Sequence, residues 1–149
     1  LFRRAEIANF SWLLLLGIFL YAAVVKIFEH EAFRRNLSIS PLLVAPEVPV
    51  IAVGVVLIEL FVAVTLIWER TKLFGIYTAF FLSITYLFYS LSIEVFFDSI
   101  PCGCGGIFNK LDAVSHIVFN IFLTILAVLA LLLHRQSKNN ENILPARNL

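Results

Sequence analysis

The sequence predicts an all-α protein, a four-helix transmembrane bundle with both termini in the cytoplasm. Three observations carry that expectation. Of the 149 residues, 61% are hydrophobic and 14% are charged, whereas soluble domains are about half apolar and about a quarter charged. The apolar residues fall in four runs, each near the ~20 residues a helix needs to cross the hydrocarbon core. Lysine and arginine are unevenly divided between the connections, which sets an orientation. A net charge of +1, with charges gathered at the ends of the runs, gives no basic stripe with interleaved aromatics. Nucleic acid is therefore not an expected partner, and membrane lipids are. Residues 1–134 read as one membrane domain and residues 135–149 as a polar cytoplasmic tail.

Residues 1–9 carry Arg3 and Arg4 and lead into the first run, about 10–28 (FSWLLLLGIFLYAAVVKIF). Its apolar core is longer than that of a signal peptide and no small-residue cleavage site follows, so an uncleaved span is expected. Trp12 and Tyr21 suit the interfaces. Lys26, close to the end of the run, is expected to snorkel to the headgroups. Residues 29–47 form the longest polar connection. Phe33, Leu37 and the Leu42-Leu43 pair punctuate its charges, as in a short amphipathic helix on the membrane surface. Pro41, Pro46 and Pro49 limit helix continuity there.

The second span, about 48–68, holds one charged residue near its middle, Glu59. Glu69-Arg70-Thr71-Lys72 is a tight turn, so the second and third spans are antiparallel neighbours. The third, about 73–97, has no charge before Glu94. The fourth, about 111–133, carries His116 and Asn120 four residues apart on one face. The stretch from His134 to Leu149 is polar and is expected to be loosely ordered.

For orientation, Arg3, Arg4, Arg70, Lys72, Arg135, Lys138 and Arg147 fall on one side, and Lys26, Arg34, Arg35 and Lys110 on the other. This bias places the termini in the cytoplasm. The 29–47 connection and the loop near residue 100 then face outward, the oxidising side of a bacterial envelope.

That loop, Ile100-Pro101-Cys102-Gly103-Cys104-Gly105-Gly106, holds both cysteines of the chain and three of its six glycines. A disulfide between residues i and i+2 closes a very small ring and needs a tight fold, which Gly103 permits. Strained bonds of this kind are easily reduced and tend to be the labile or catalytic ones. The competing readings are inert thiols or a static staple, although so small a loop gains little entropy on closure. A structural zinc site is disfavoured, because two thiolates plus His116 give three ligands at most.

A carboxylate near the bilayer centre is costly, so Glu59 is a functional candidate; the alternative is a structural acid bonded inside the bundle. Counted from the outer ends, Glu59 lies roughly 16 Å deep, Asn120 roughly 13 Å and His116 roughly 8 Å. Ser83, Thr85 and Tyr86 reach matching depth in the third span. Glu59, Asn120, His116 and Tyr86 are therefore expected to form one polar column beneath the cysteine loop, provided the helices are rotated to face one another. His116 can take a proton from a thiol and so produce the nucleophilic thiolate; its bland reading is a packing hydrogen bond. Lys26 and Lys110 can favour the thiolate electrostatically, but read more simply as solvated or headgroup-facing charges. The fifteen phenylalanines read as packing and lipid-facing surface.

These residues together resemble the MauE proteins of methylamine utilisation, within the DoxX-like four-helix membrane proteins. The resemblance covers nearly all of residues 8–133. It rests on Lys26 near the end of the first helix, Phe33 in Glu-Ala-Phe, Leu42-Leu43 ahead of Pro46 and Glu59 in Leu-Ile-Glu-Leu. Its most specific feature is Cys102-Gly103-Cys104, followed by a helix with Asn120 after Phe119. Some members also have Gly-Gly after the cysteines and a histidine four residues before the asparagine, as His116 stands here. A tryptophan often found at the start of the last helix is replaced by Asp112-Ala113.

The resemblance implies a role in envelope thiol redox, with a periplasmic thioredoxin-like protein or a disulfide-bearing client as partner. The expectation is then a multi-pass protein of the bacterial inner (cytoplasmic) membrane, its cysteine loop facing the periplasm. Cys102 and Cys104 exchange a disulfide with the partner, and electrons pass to or from a membrane carrier, a quinone being the natural choice. His116 serves as base; Glu59, Asn120 and Tyr86 serve as proton relay or carrier contacts. The rival expectation is a non-enzymatic subunit or export factor of a larger membrane complex, its cysteines structural. Transport through Glu59 is a third, minor reading, and neither a broken helix nor an inverted repeat supports it.

Overall fold

The computed structural model describes residues 2–40, 42–96 and 113–143. Five α-helices cover most of them: α1 (Phe2–Phe28), α2 (His30–Ile39), α3 (Val48–Ile67), α4 (Lys72–Phe96) and α5 (Ala113–Ile143). Among the described residues there is no strand. Four stretches are long and apolar enough to cross a membrane: Asn9–Phe28, Val48–Ile67, Lys72–Phe96 and Val114–Gln136. The expected all-α architecture with four spans is therefore present. Residues 97–112, with Cys102, Cys104 and Lys110, lie outside the described residues.

The spans form a ring in the order α1, α3, α4, α5, with α1 closing against α5. Each span turns one stripe inward. In α1 the stripe runs Ser11, Leu15, Phe19, Ala23, Lys26; in α3 it runs Val48, Ala52, Val56, Glu59, Val62, Ala63, Leu66. Spacings of three and four keep these residues on one helix face. The helices α3 and α4 meet most closely beside their short turn. A methyl group added at Gly75 would stand 2.9 Å from Thr65 Oγ1 and 3.0 Å from Leu66 N. The Thr71 hydroxyl ties the turn by donating to the Thr65 carbonyl at 2.9 Å. Above the turn lies an apolar core of Leu15, Val62, Leu66, Ile76, Leu126, Ala127 and Ala130, among others.

Two differences from the sequence reading, and one expectation that holds, have physical causes. The amphipathic segment is helical, but Phe33 and Leu37 bury against Val48 and Ala52 of α3, so its apolar face is spent on protein. As expected, helix continuity is limited here: α2 ends at Ile39 and α3 begins at Val48, with Pro46 and Pro49 at the entry to α3. They fall in a 3₁₀ turn (Ala45–Glu47) and in the first turn of α3, where a missing N–H costs nothing. The stretch after Leu133, expected to be loosely ordered, continues α5 as far as Ile143. No glycine or proline interrupts the chain between His134 and Ile143.

Candidate functional site

The half of the bundle opposite the α3–α4 turn is not filled. A cavity of about 250 Å³ lies among all four spans and α2. Its walls are mostly apolar, including Ile18, Phe19, Phe33, Leu37, Val55 and Leu123; Lys26, Glu59, Thr85, Tyr86, Tyr89, His116 and Asn120 interrupt them.

Glu59 is the centre of the polar group. It is fully buried, and its Oε1 accepts from Lys26 Nζ at 2.7 Å and from the Tyr86 hydroxyl at 2.7 Å. Three helices thus converge on one carboxylate oxygen. Its other oxygen, Oε2, is also buried and has no hydrogen-bond partner among the described residues. A buried polar atom without a partner costs about 1–3 kcal/mol, more when charged, so such an atom calls for an explanation. Lys26 is itself buried, its side chain 6% exposed. Its ammonium stands 5.6 Å from the Phe33 ring centroid and 5.9 Å from that of Tyr86. Lys26 therefore does not snorkel. Although near the end of α1, it continues the inward stripe of Leu15 and Phe19, and its long stem reaches down to Glu59. The helix α2, folded over this end of the bundle, places Phe33 where the headgroups were expected.

Asn120 is buried on α5, where its Nδ2 donates to Ser90 Oγ of α4 at 3.0 Å. This bond fixes the rotation of α5 against α4. His116, one turn earlier, is 1% exposed and lies in the first turn of α5, immediately after the segment that carries the cysteines. The cavity occupies the half of the bundle in which α4 ends at Phe96 and α5 begins at Ala113.

A family model described as methylamine utilisation protein MauE matches residues 4–133. The chain belongs to the MauE family. No curated protein and no solved structure matches it. The match spans α1 to most of α5 and so contains every residue of the cavity.

The structure thus brings Glu59, Tyr86, His116 and Asn120 to one cavity of this MauE-family protein. The helix rotations, which the sequence left open, make them neighbours. Cys102 and Cys104 lie outside the described residues, so their distance from His116 is not part of this geometry. Sequence reasoning assigned Lys26 to the wrong environment; the signal that could have found it is its helical register with Leu15, Phe19 and Ala23, at spacings of four, four and three. Among the described residues no group of three or more histidine, cysteine, aspartate or glutamate side chains is placed to hold a metal ion.

Proposed function

We propose that this MauE-family membrane protein exchanges electrons between a thiol partner outside the membrane and a lipid-soluble quinone held in the bundle cavity. The observation that carries the reading is the buried, partnerless Oε2 of Glu59 beside Lys26, on the wall of a largely apolar cavity. An ammonium donates up to three hydrogen bonds and a carboxylate accepts several. A head group that alternates between carbonyl and hydroxyl oxygen finds a partner here in either state: Lys26 donates to the carbonyl and Glu59 Oε2 accepts from the hydroxyl. Size agrees, since a cavity of about 150 Å³ is enough for a benzene ring and this one holds about 250 Å³.

Oxidation of the Cys102 and Cys104 thiols to a disulfide releases two electrons and two protons. A bound quinone takes up two electrons and two protons as it becomes the quinol. The exchange therefore balances, and the relative potentials of thiol partner and carrier set its direction. His116, three residues into the helix that follows the cysteine segment and on the cavity wall, is suited to carry the thiol proton inward. Tyr86 and Glu59 continue that path. Asn120 holds α5 in the rotation that presents His116.

Burial of Lys26 also supports the orientation. With Lys26 and Lys72 both buried in ion pairs, Arg34, Arg35 and Lys110 on one side face Arg3, Arg4, Arg70, Arg135, Lys138 and Arg147 on the other. This favours the cysteine loop facing the periplasm of a bacterial inner membrane. The thiol partner is then a periplasmic thioredoxin-like protein or a disulfide-bearing client, and the family description points to methylamine utilisation as its setting.

The test is thiol trapping in intact cells with a membrane-impermeant alkylating reagent, with and without a quinone pool. Cys102 and Cys104 are expected to change state together when the pool is removed, and Cys102→Ser or Cys104→Ser to abolish client maturation. Unchanged alkylation, with serine variants that still support the client, would leave a non-enzymatic membrane subunit instead.

A further inference from the structure

The cavity is not sealed on every side. The helices α3 and α4 are clamped at their turn by the close approach of Gly75 to Thr65 and Leu66. Beyond that point the Tyr86–Glu59 hydrogen bond still joins them, but their principal neighbours differ. α3 packs most extensively on α1 and also takes α2, whereas α4 packs most extensively on α5. The Asn120–Ser90 bond holds α4 toward α5, and Phe33 and Leu37 sit on the start of α3. On this side of the bundle, Ile51 and Val55 of α3 and Thr85 and Tyr89 of α4 all line the cavity. Thr85 is exposed and the other three are half-buried, so the cavity lining includes a residue of the outer surface there.

The mouth lies within the membrane. Thr85 is about 20 Å along α4 from Lys72 at 1.5 Å per residue, in a helix of 25 residues. The neighbouring surface is apolar, with Ile58, Phe81 and Phe88 exposed at 50%, 65% and 66%. Ile58 and Thr85 each precede one member of the Glu59–Tyr86 hydrogen bond, so that polar pair stands immediately behind the mouth.

We propose that the cleft between α3 and α4 is a lateral portal, through which an amphiphile with a ring-sized oxygen-bearing head and a long apolar tail enters from the bilayer. The head passes Thr85 and reaches Lys26 and Glu59. The tail stays in the cleft between Val55 and Thr85 and runs out into lipid. A cavity of this size holds a ring but no long isoprenoid chain, so a tailed ligand needs an exit, and the exposed Thr85 marks it. The proposal rests on the function above for the chemistry of the head group. The route is a property of the helices.

The experiment uses the full chain in lipid nanodiscs. A benzoquinone with a decyl tail ending in a diazirine is photolysed on the wild-type protein, and the labelled peptide is mapped. Label on α3 and α4 around the cleft is expected; label confined to α1 and α5, or no saturable label, overturns the portal. In parallel, Thr85→Trp and Val55→Trp are compared with the lipid-facing control Val128→Trp. Each portal variant is expected to weaken decylubiquinone binding about tenfold or more, or about 1.4 kcal/mol, and to weaken binding of the tail-less ubiquinone head by less. Equal binding of the tailed quinone by all three would refute the route. A cysteine pair that never cycles, together with label at the cleft, would sink the redox reading and leave the portal standing.

Discussion

Lys26 and Lys72 are two buried lysines at opposite ends of the bundle, and they are buried in different ways. The Lys72 side chain is 5% exposed, but its partner Glu69 is 79% exposed, one turn away at the α3–α4 turn. Its ammonium also lies 4.0 Å from the centre of the Trp12 ring, which pins α1 to the start of α4. The charge is covered, yet its counter-charge remains in water. Lys26 has no such outlet. Its partner Glu59 is 0% exposed, so both charges are neutralised inside protein and cavity. The surroundings match this contrast: close-packed aliphatic core above the turn, open space among polar groups at the far end. A lysine at a helix end is easily made structural by an exposed acid and a ring. A fully buried pair facing a cavity, with one carboxylate oxygen unsatisfied, has no comparable structural economy, and this makes it the candidate site.

The largest expected effect comes from splitting that pair. Removing one member of a buried ion pair strands the other and costs about 3–5 kcal/mol. Lys26→Met and Glu59→Gln should each show a loss of that order in denaturant titration of the reconstituted protein. The double variant should recover much of it, because two matched neutral groups leave no uncompensated charge. Single losses below about 1 kcal/mol that simply add in the double variant would make Lys26 no different in kind from Lys72.

A glycine pair sharpens the same comparison at the level of packing. At Gly75 an added methyl meets Thr65 Oγ1 and the backbone of Thr65 and Leu66 at 2.9–3.0 Å, and backbone cannot swing aside. Gly75→Ala should therefore force α3 and α4 apart at the turn, at about 1–3 kcal/mol. At Gly54 the added methyl meets nothing within 4 Å. Gly54→Ala should be neutral or stabilising by about 0.5–1 kcal/mol, the helix preference for alanine. Thermal or denaturant unfolding of the two variants, side by side, reads the difference; similar losses at both would mean that the turn end is not the rigid half.

The division between the two halves was only partly legible in the sequence. The spans were, because run length against bilayer thickness is a one-dimensional property. Depth was legible for the same reason, which is why Glu59, Tyr86, His116 and Asn120 were expected at related levels. Rotation was not. The helix α3 is apolar on nearly every face, so no stripe in its sequence says which side of Glu59 meets Lys26. The end of α1 was misread for a different reason: a lysine near a helix end snorkels only if that end meets the headgroups, and here α2 folds back and puts Phe33 over it. That fold-back is a tertiary fact, written in the burial of Phe33 and Leu37 against Val48 and Ala52. The length of α5 was within reach, since nothing between His134 and Ile143 breaks a helix.

The smallest expected effect is at Lys72. Lys72→Met keeps the stem against Trp12 and removes only the charge. The pair with exposed Glu69 is solvent-screened and contributes at most about 1 kcal/mol, and a cation over an indole near the surface adds about 0.5–1 kcal/mol. The loss should therefore fall near 1 kcal/mol and shrink further with salt, whereas the loss in Lys26→Met should be nearly independent of salt. Quinone binding separates the two lysines more sharply than stability does. Lys72 lies outside the cavity lining and Lys26 within it, so decylubiquinone affinity should be unchanged in Lys72→Met and reduced in Lys26→Met. If both variants lose affinity alike, the ligand responds to the overall stability of the bundle and not to the ammonium at the cavity wall. If neither does, Lys26 holds Glu59 in place and takes no part in binding the head group.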